Sequence, residues 1–410
     1  TRDNLPEFDY IGVHGIWSWI SDANRAVIVD FVRRKLKVGG VLYISYNTQP
    51  GWAAMVPMRD LMALHAQTMG AEGTGIVSRI DGALDFTDKL LATNPRFAKA
   101  NPLVADRISK IKEQNRHYLA HEYFNRDWHP MHFATMAKWL EPAKLTYACS
   151  AHYLDYVESV NLTPEQQAFL KDIHDPMFKQ TVLDFMVNQQ FRKEYWVKGA
   201  RRLTPLEQTQ GLRDQRLVMT AHRPDVVLKV TGALGEATLT GKVYAPVLDL
   251  MADHKMRSMS QIEQALKDAG ITFAQLIQAL LVLCGNGTLS AAQDDTATIK
   301  AKEHTDKLNT HLMLKAHSSN DISYLASPVT GGGVGVGRFQ QLFVLAIQQG
   351  KKKPEDWAAF VAQILASQGQ KIVKEGKPLE TPEENMTALM AQAHEFAVKQ
   401  LPILKALQIA

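Results

Sequence analysis

The sequence predicts an α/β segment followed by a mostly α remainder. Three observations carry this. Two short apolar runs, Phe8 to Val13 and Val41 to Tyr46, flank one amphipathic stretch and a Gly-Gly pair, which is a strand–helix–strand pattern. Helical periodicity then dominates residues 53 to 140 and 355 to 408. Finally, 46% hydrophobic and 21% charged residues over 410 positions describe an ordinary globular chain, long enough for two or three domains.

Phe8 to Val13 ends at His14-Gly15 and reads as a buried strand leading into a functional turn. Ser21-Asp22-Ala23-Asn24 offers helix caps, and Ala26, Val27, Val29, Phe31, Val32 and Leu36 form the apolar face of a helix that Gly39-Gly40 should stop. Val41 to Tyr46 is the second buried strand and ends at Asn47. This is half of a doubly wound sheet, a fold that binds ligands at the carboxyl ends of its strands. Those ends are His14-Gly15-Ile16-Trp17-Ser18-Trp19 and Tyr46-Asn47-Thr48-Gln49-Pro50-Gly51-Trp52. Glycine lets a ligand approach the backbone, and aromatic faces can surround a sulfonium or alkylammonium.

Further along, the Met55, Met58, Leu61, Met62, Leu64 and His65 stripe reads first as core packing and second as a substrate groove. Gly70 to Gly75 is expected to be a loop, Ile76 to Leu91 a helix, Asn94-Pro95 and Asn101-Pro102 breaks, and Val104 to Tyr118 a third helix. His117, His121, His129, His132 and His152 cluster in sequence with Glu122 and Asp127, but Asn125 stands where a His-Glu-x-x-His zinc motif needs histidine, so no metal is expected. No Gly-x-Ser-x-Gly elbow occurs, and Cys284 sits in an apolar helical pattern as inert core.

Three helical patterns, Val243–Asp253, Ser258–Asp268 and Thr272–Cys284, come after a hairpin signal at Val226–Val230 and Glu236–Leu239 and suggest a winged-helix-like module. Its third helix carries no Lys or Arg, which argues for protein contact over DNA binding. Thr330 to Gly337 contains Gly-x-Gly-x-Gly before a helix, but no second strand comes after it; it is read as a flexible loop, not a phosphate cradle. Lys351-Lys352-Lys353 is read as a solvated connection.

Bulk properties narrow the partners. A formal net charge of +4, from 46 basic and 42 acidic residues, points neither to nucleic acid nor to an anionic membrane. The two cysteines, Cys149 and Cys284, are too few for a disulfide framework and fit a reducing cytoplasm. No apolar run reaches the ~18 residues of a membrane helix. The opening Thr-Arg-Asp-Asn-Leu-Pro, without Met, reads as an internal cut.

Several segments together resemble one known family. Phe8-Asp9-Tyr10-Ile11, His14-Gly15-Ile16-Trp17-Ser18-Trp19, Leu36-Lys37-Val38-Gly39-Gly40 and Ser45-Tyr46-Asn47 with Pro50-Gly51-Trp52 are similar to the fourth and fifth strand regions of class I S-adenosylmethionine-dependent methyltransferases that carry a methyltransferase regulatory domain, among them the rickettsial outer-membrane-protein lysine methyltransferases. Tyr118 to Phe124, Pro130 to Phe133, Leu145 to Ala148, Gln180 to Tyr195 and Tyr324 to Pro328 continue the resemblance.

The resemblance implies the latter part of a Rossmann-like sheet over 1–160, a helical regulatory domain over 161–225, the winged-helix-like module over 226–300 and a helical region over 301–410. It implies S-adenosyl-L-methionine as cofactor, a protein substrate and lysine N-methylation. Expected catalytic residues are His14, Tyr46, Asn47 and His121, with His14 or His121 as proton acceptor from the lysine ammonium. His14, Gly15, Trp17 and Ser18 are expected to bind cofactor. Trp19, Trp52, Glu122 and Tyr123 are expected to bind substrate, with core packing an equal alternative for each tryptophan. The family's glycine loop and ribose-binding acid precede the strand at Phe8, so this chain is expected to lack them and to bind cofactor very weakly, if at all. A non-catalytic regulatory or protein-interaction module is the alternative reading.

Overall fold

The computed structural model describes residues 4–70, 73–374 and 376–410. The opening residues 1–3 and positions 71 and 72 of the expected Gly70–Gly75 loop lie outside them. The chain divides into two compact units, residues 1–202 with 231–235, and residues 203–230 with 236–410.

In the first unit β1 (Phe8–Val13) leads to α1 (Asp22–Lys35) and β2 (Leu36–Asn47), and the two strands pair in parallel, as the strand–helix–strand pattern predicts. The Ser21 hydroxyl caps α1 by accepting the Asn24 N–H at 3.3 Å, and Asp22 at the start with Arg33, Arg34 and Lys35 at the end complement the helix dipole. The helix stops at Leu36, ahead of the glycine pair. Gly39 adopts φ +81°, and a Cβ on Gly40 would sit 2.9 Å from the Lys37 carbonyl oxygen, so the pair makes an irregularity within β2, where its register with β1 shifts between Phe8 and Tyr10.

Six helices come next: α2 (Val56–Thr68), α3 (Ile76–Ala92), α4 (Arg96–Ala100), α5 (Leu103–Lys112), α6 (Arg116–Glu122) and α7 (Phe133–Leu140). The single helix expected over 104–118 is in fact two, because the Asn115 side chain accepts the N–H groups of His117 and Tyr118 and starts a new helix. Then come β3 (Leu145–Ser150), α8 (Glu158–Asn161), α9 (Pro164–Lys171), α10 (Pro176–Met186) and β4 (Phe191–Lys198).

The sheet order is β1-β2-β4-β3, with β4 antiparallel to both neighbours. Residues 191–198 therefore complete the sheet, whereas the sequence placed them in the helical stretch. The cause is chemical: the buried face of β4 carries Arg192, Glu194 and Trp196, and two buried charges disguise its alternation. Leu42, Ile44 and Tyr46 of β2 pack with Val13 and Trp196 against Val29 and Val32 of α1 and Phe133, Met136 and Leu140 of α7. Each such fully buried aliphatic side chain contributes roughly 1.5–3 kcal/mol. A second core joins Trp19, Trp52 and Trp128 to Met55, Met58, Met62, Ile80 and Ile108. The methionine stripe is thus mainly packing.

The second unit opens with α11 (Pro205–Arg213) and β5 (Arg216–Met219); the hairpin strands β6 (Lys229–Gly232) and β7 (Gly235–Thr238) come next, and residues 231–235 of that hairpin belong to the first unit. Next are α12 (Gly241–Met251), β8 (Arg257–Ser258), α13 (Met259–Ala265), α14 (Phe273–Gly285) and β9 (Leu289–Ala292). A three-stranded antiparallel sheet of order β8-β5-β9 accompanies the three helices. A capping box of Thr272 and Gln275 starts α14, which buries Leu276, Leu280 and Leu283. Burial pushes the Cys284 thiol up to about 12, consistent with inert packing.

After α15 (Asp295–Lys315), β10 (Tyr324–Ser327) pairs with β11 (Gly332–Gly335). The glycine-rich run expected to be a loop is therefore half a hairpin, its backbone hydrogen-bonded to a strand the sequence read only as a signature. Helices α16 (Arg338–Gln348), α17 (Pro354–Ser367), α18 (Pro382–Lys399) and α19 (Leu401–Ala406) close the unit around Phe343, Trp357 and Phe396. Among the described residues no helix is long and apolar enough to cross a membrane.

Candidate functional site

The parallel strands β1 and β2 end side by side, and three segments meet there. Ser18 Oγ accepts the Asn47 N–H at 2.8 Å, and the Ser18 carbonyl accepts the His129 N–H at 2.8 Å. The Met131 N–H donates to the Asn47 carbonyl at 3.1 Å, and the Gln49 N–H returns to the Met131 carbonyl at 3.2 Å. On the other side Thr48 and Gly51 donate to the Gln190 and Gln189 carbonyls at 2.9 and 3.0 Å. A Cβ on Gly51 would lie 2.3 Å from the Gln189 oxygen, so this close approach demands glycine. The turn after β1, the segment 129–131 and the segment 189–190 thus clamp the end of β2 through backbone bonds.

On one face of this rim His14 is exposed. Its Nδ1 lies 2.9 Å from the Tyr43 hydroxyl and 3.1 Å from Ser45 Oγ, and its ring stacks on Tyr43 at 5.8 Å. Ser45 Oγ also accepts the Gly15 N–H at 3.0 Å. Gly15 adopts φ +62° with open space where a Cβ would stand. Burial raises the Tyr43 hydroxyl's pKa. Asn47 is 3% exposed, and its side-chain Nδ2 has no hydrogen-bond partner among the described residues. A buried amide without a partner costs roughly 1–3 kcal/mol and marks a place where an acceptor is wanted.

Three expected site residues, Trp17, Tyr46 and Ser18, have no accessible surface here. Trp17 has no accessible surface: it donates its indole N–H to Met131 sulfur at 3.4 Å, meets Trp139 edge-on at 5.9 Å and accepts the Arg25 Nε–H on its carbonyl. Its role is core support. Tyr46 is likewise fully buried, with its hydroxyl 3.3 Å from both Glu194 oxygens. Burial and that carboxylate raise its pKa well above the usual value, so it holds the sheet together and does not face a ligand. Ser18 is also wholly buried and acts through Asn47.

The expected substrate residues gather in a second place, reached along the loop after β2. Trp19 donates to the Glu122 carbonyl at 3.3 Å and meets the exposed His121 ring edge-on at 5.6 Å. Trp52 donates to the Gln190 carbonyl at 2.9 Å and packs against Trp128 at 5.3 Å and Tyr123 at 6.0 Å. The Arg107 guanidinium lies 3.7 Å over the Trp52 ring and 3.3 Å from Gln190 Oε1. Arg59, buried on Trp128, donates to the carbonyls of Tyr123 and Asn125. Desolvation raises the pKa of Glu122 and of Tyr123. Met55, Leu103, Arg107, Tyr123 and Gln190 line an adjoining groove of about 710 Å³.

The sequence did not single out Ser45, Tyr43, Met131 or Arg107. Ser45 and Tyr43 had a usable signal, since strand alternation puts them on one face of β2. Arg107 had none, being 55 positions from the ring it covers.

Known proteins resemble this chain in sequence and in fold. The family described as "Predicted methyltransferase regulatory domain" matches residues 115–198. The uncharacterized protein sll1526 of Synechocystis is 42% identical over 409 residues, spanning 100% of this chain and 79% of that protein. The uncharacterized protein RP789 of Rickettsia prowazekii is 29% identical over 194 residues, 46% of this chain and 34% of its own length. A solved structure of PKMT2 from Rickettsia typhi in complex with AdoHcy superposes with a TM-score of 0.66 at 18% identity, covering 97% of this chain and 81% of that one.

Proposed function

The chain belongs to the family of the Synechocystis protein sll1526 and carries a methyltransferase regulatory domain, and on that premise we propose that it serves S-adenosylmethionine-dependent methyl transfer to a protein amine, a lysine side chain. The observation that carries the reading is the rim at the carboxyl ends of β1 and β2, where the unpartnered Asn47 amide lies two residues along β2 from Ser45, which holds the exposed His14 and the open Gly15. These residues fit one wall of the cofactor's site. A buried N–H without an acceptor suits a polar cofactor atom, and a glycine with no side-chain neighbour admits close approach. The AdoHcy complex of the rickettsial PKMT2, a protein of similar fold, supports the same cofactor here.

When bound, the cofactor supplies an electrophilic methyl group on a sulfonium. The chain's own residues position, desolvate and deprotonate. Asn47, fixed through Ser18, orients the donor. With the proton on Nδ1, His14 donates to the Tyr43 or Ser45 hydroxyl and leaves Nε2 as acceptor for the amine's proton. The protein amine is read as approaching along Glu122 and the exposed His121, while Trp19, Trp52 and Tyr123, buried in the second core, back this surface. Alignment of the displacement supplies most of the rate. In the second unit, the three helices with the β8-β5-β9 sheet are read as a winged-helix-like module serving protein contact.

Calorimetric titration of this chain, and of the Synechocystis relative, with S-adenosylhomocysteine tests the proposal. Binding by either supports it. Absence from both overturns it and favours a non-catalytic interaction module.

A further inference from the structure

Away from the strand ends, α10, β3, β4 and the turn at 231–233 enclose a cavity of about 440 Å³. Part of its wall is apolar, with Leu154, Leu162, Leu170, Leu183 and Val187. Its polar centre is Asp184, 1% exposed. One carboxylate oxygen accepts Arg192 NH1, while Oδ2 is buried with no partner among the described residues. Each Arg192 side-chain nitrogen is engaged: Nε donates to Glu194, NH1 to Asp184 and NH2 to Gln180 Oε1 at 2.8 Å. Glu194 in turn accepts the Trp196 indole N–H at 2.9 Å and the Tyr46 hydroxyl. One guanidinium thus faces two buried carboxyl groups, a deficit of one positive charge when both are ionised, and the orphaned oxygen belongs to the one on the cavity wall.

Other charges do not fill the deficit. Asp155, which faces Asp184 from the turn after β3, is itself paired with His152 at 2.9 Å and with Ser150 at 2.5 Å. Lys179, on the same helix as Asp184, and the exposed Lys193 line the cavity, yet neither bonds Oδ2. The fold closes the space tightly at 231–233. The Ala233 N–H donates to Asn161 Oδ1 at 2.9 Å, and a Cβ on Gly232 would meet the Val160 carbonyl oxygen at 2.3 Å.

We propose that this cavity is a binding site for a small primary amine with an apolar body, its ammonium donating to Asp184 Oδ2 and completing the Arg192–Glu194 cluster. The apolar wall takes the body, and the cation restores charge balance. Burial raises the Asp184 carboxyl to about 7, against which the Arg192 charge works and the Glu194 and Asp155 charges add. The amine binds the ionised form, so binding at neutral pH displaces a proton. The cluster also reaches Tyr46, one residue before Asn47 on β2, which gives an occupant of the regulatory-domain stretch a physical route to the candidate site. The proposal is independent of methyl transfer.

The test is titration of the full chain with benzylamine, benzyl alcohol and benzoate, by ligand-observed NMR and by calorimetry in two buffers of different ionisation enthalpy. Benzylamine is expected to bind at pH 7 with release of about half a proton, given a carboxyl near 7, and at least tenfold more weakly at pH 5. Asp184→Asn, which keeps an acceptor for Arg192, should weaken it at least tenfold. Val187→Trp, which leaves the cluster intact and fills the cavity, should abolish it and decides the matter should the first variant fail to fold. No binding of benzylamine, equal binding by Asp184→Asn or Val187→Trp, or equal binding of benzyl alcohol or benzoate each overturns the proposal.

Discussion

The hydroxyl of Ser18 accepts the backbone N–H of Asn47 at 2.8 Å, so one buried hydrogen bond ties the turn after β1 to the end of β2. Ser18→Ala leaves that N–H buried without a partner. The expected loss is about 1–3 kcal/mol of unfolding free energy, read by chemical denaturation. A loss below about 0.3 kcal/mol would show that the strand ends are held by the backbone clamp alone.

Gly51→Ala puts a Cβ against the Gln189 carbonyl oxygen at 2.3 Å, backbone against backbone. One of the segments must move, and overpacking of this kind costs about 1–3 kcal/mol. The melting temperature should fall by several degrees, whereas alanine at Gly211, inside α11 with open space around it, should leave it unchanged or raise it.

Arg107 covers Trp52 at 3.7 Å. Arg107→Ala should lower stability by about 0.5–2 kcal/mol, through lost cation–π contact and lost cover of the ring. Lysine keeps the charge but not the planar stack, so Arg107→Lys should recover only part. Full recovery by lysine would assign the effect to charge alone.

Asp184 predicts a pH dependence of stability. Its folded carboxyl is raised to about 7 from 3.8, so the folded state holds a proton that the unfolded state has lost between those values. That contribution is fully present below about pH 4 and is lost as pH rises through 7. The stability of the wild type relative to Asp184→Asn should therefore decline across this window, by up to roughly 4 kcal/mol from the shift of about three units at 1.36 kcal/mol each. Parallel curves from pH 4 to 8 would refute the assignment.

Much of the fold and part of the candidate site were legible in the residues. β1 and β2 are visible as short apolar runs, although β1, read as buried, buries only Val13 and leaves Tyr10 exposed, and the caps at Ser21 and Thr272 are local chemistry. The strand ends were identifiable as the candidate rim because parallel strands joined by a helix leave their carboxyl ends together. β4 escaped notice because its inner face is charged. The second half of the Tyr324–Gly335 hairpin escaped because glycine carries no alternation.

The sequence by itself determined the parallel β1–α1–β2 unit, the helical character of most of the later chain and the identity of the rim residues His14, Gly15 and Asn47. Only the tertiary structure decided which of them face solvent. Asn47 is 3% exposed, and Trp17 and Tyr46, from the same motifs as the exposed His14, are wholly buried in the core that α1 and α7 form with the sheet. Likewise, only tertiary structure could set Arg192 between Asp184 and Glu194 or lay Arg107 on Trp52. Charge balance in a core, and contact between residues tens of positions apart, are properties of packing, and no local pattern encodes them.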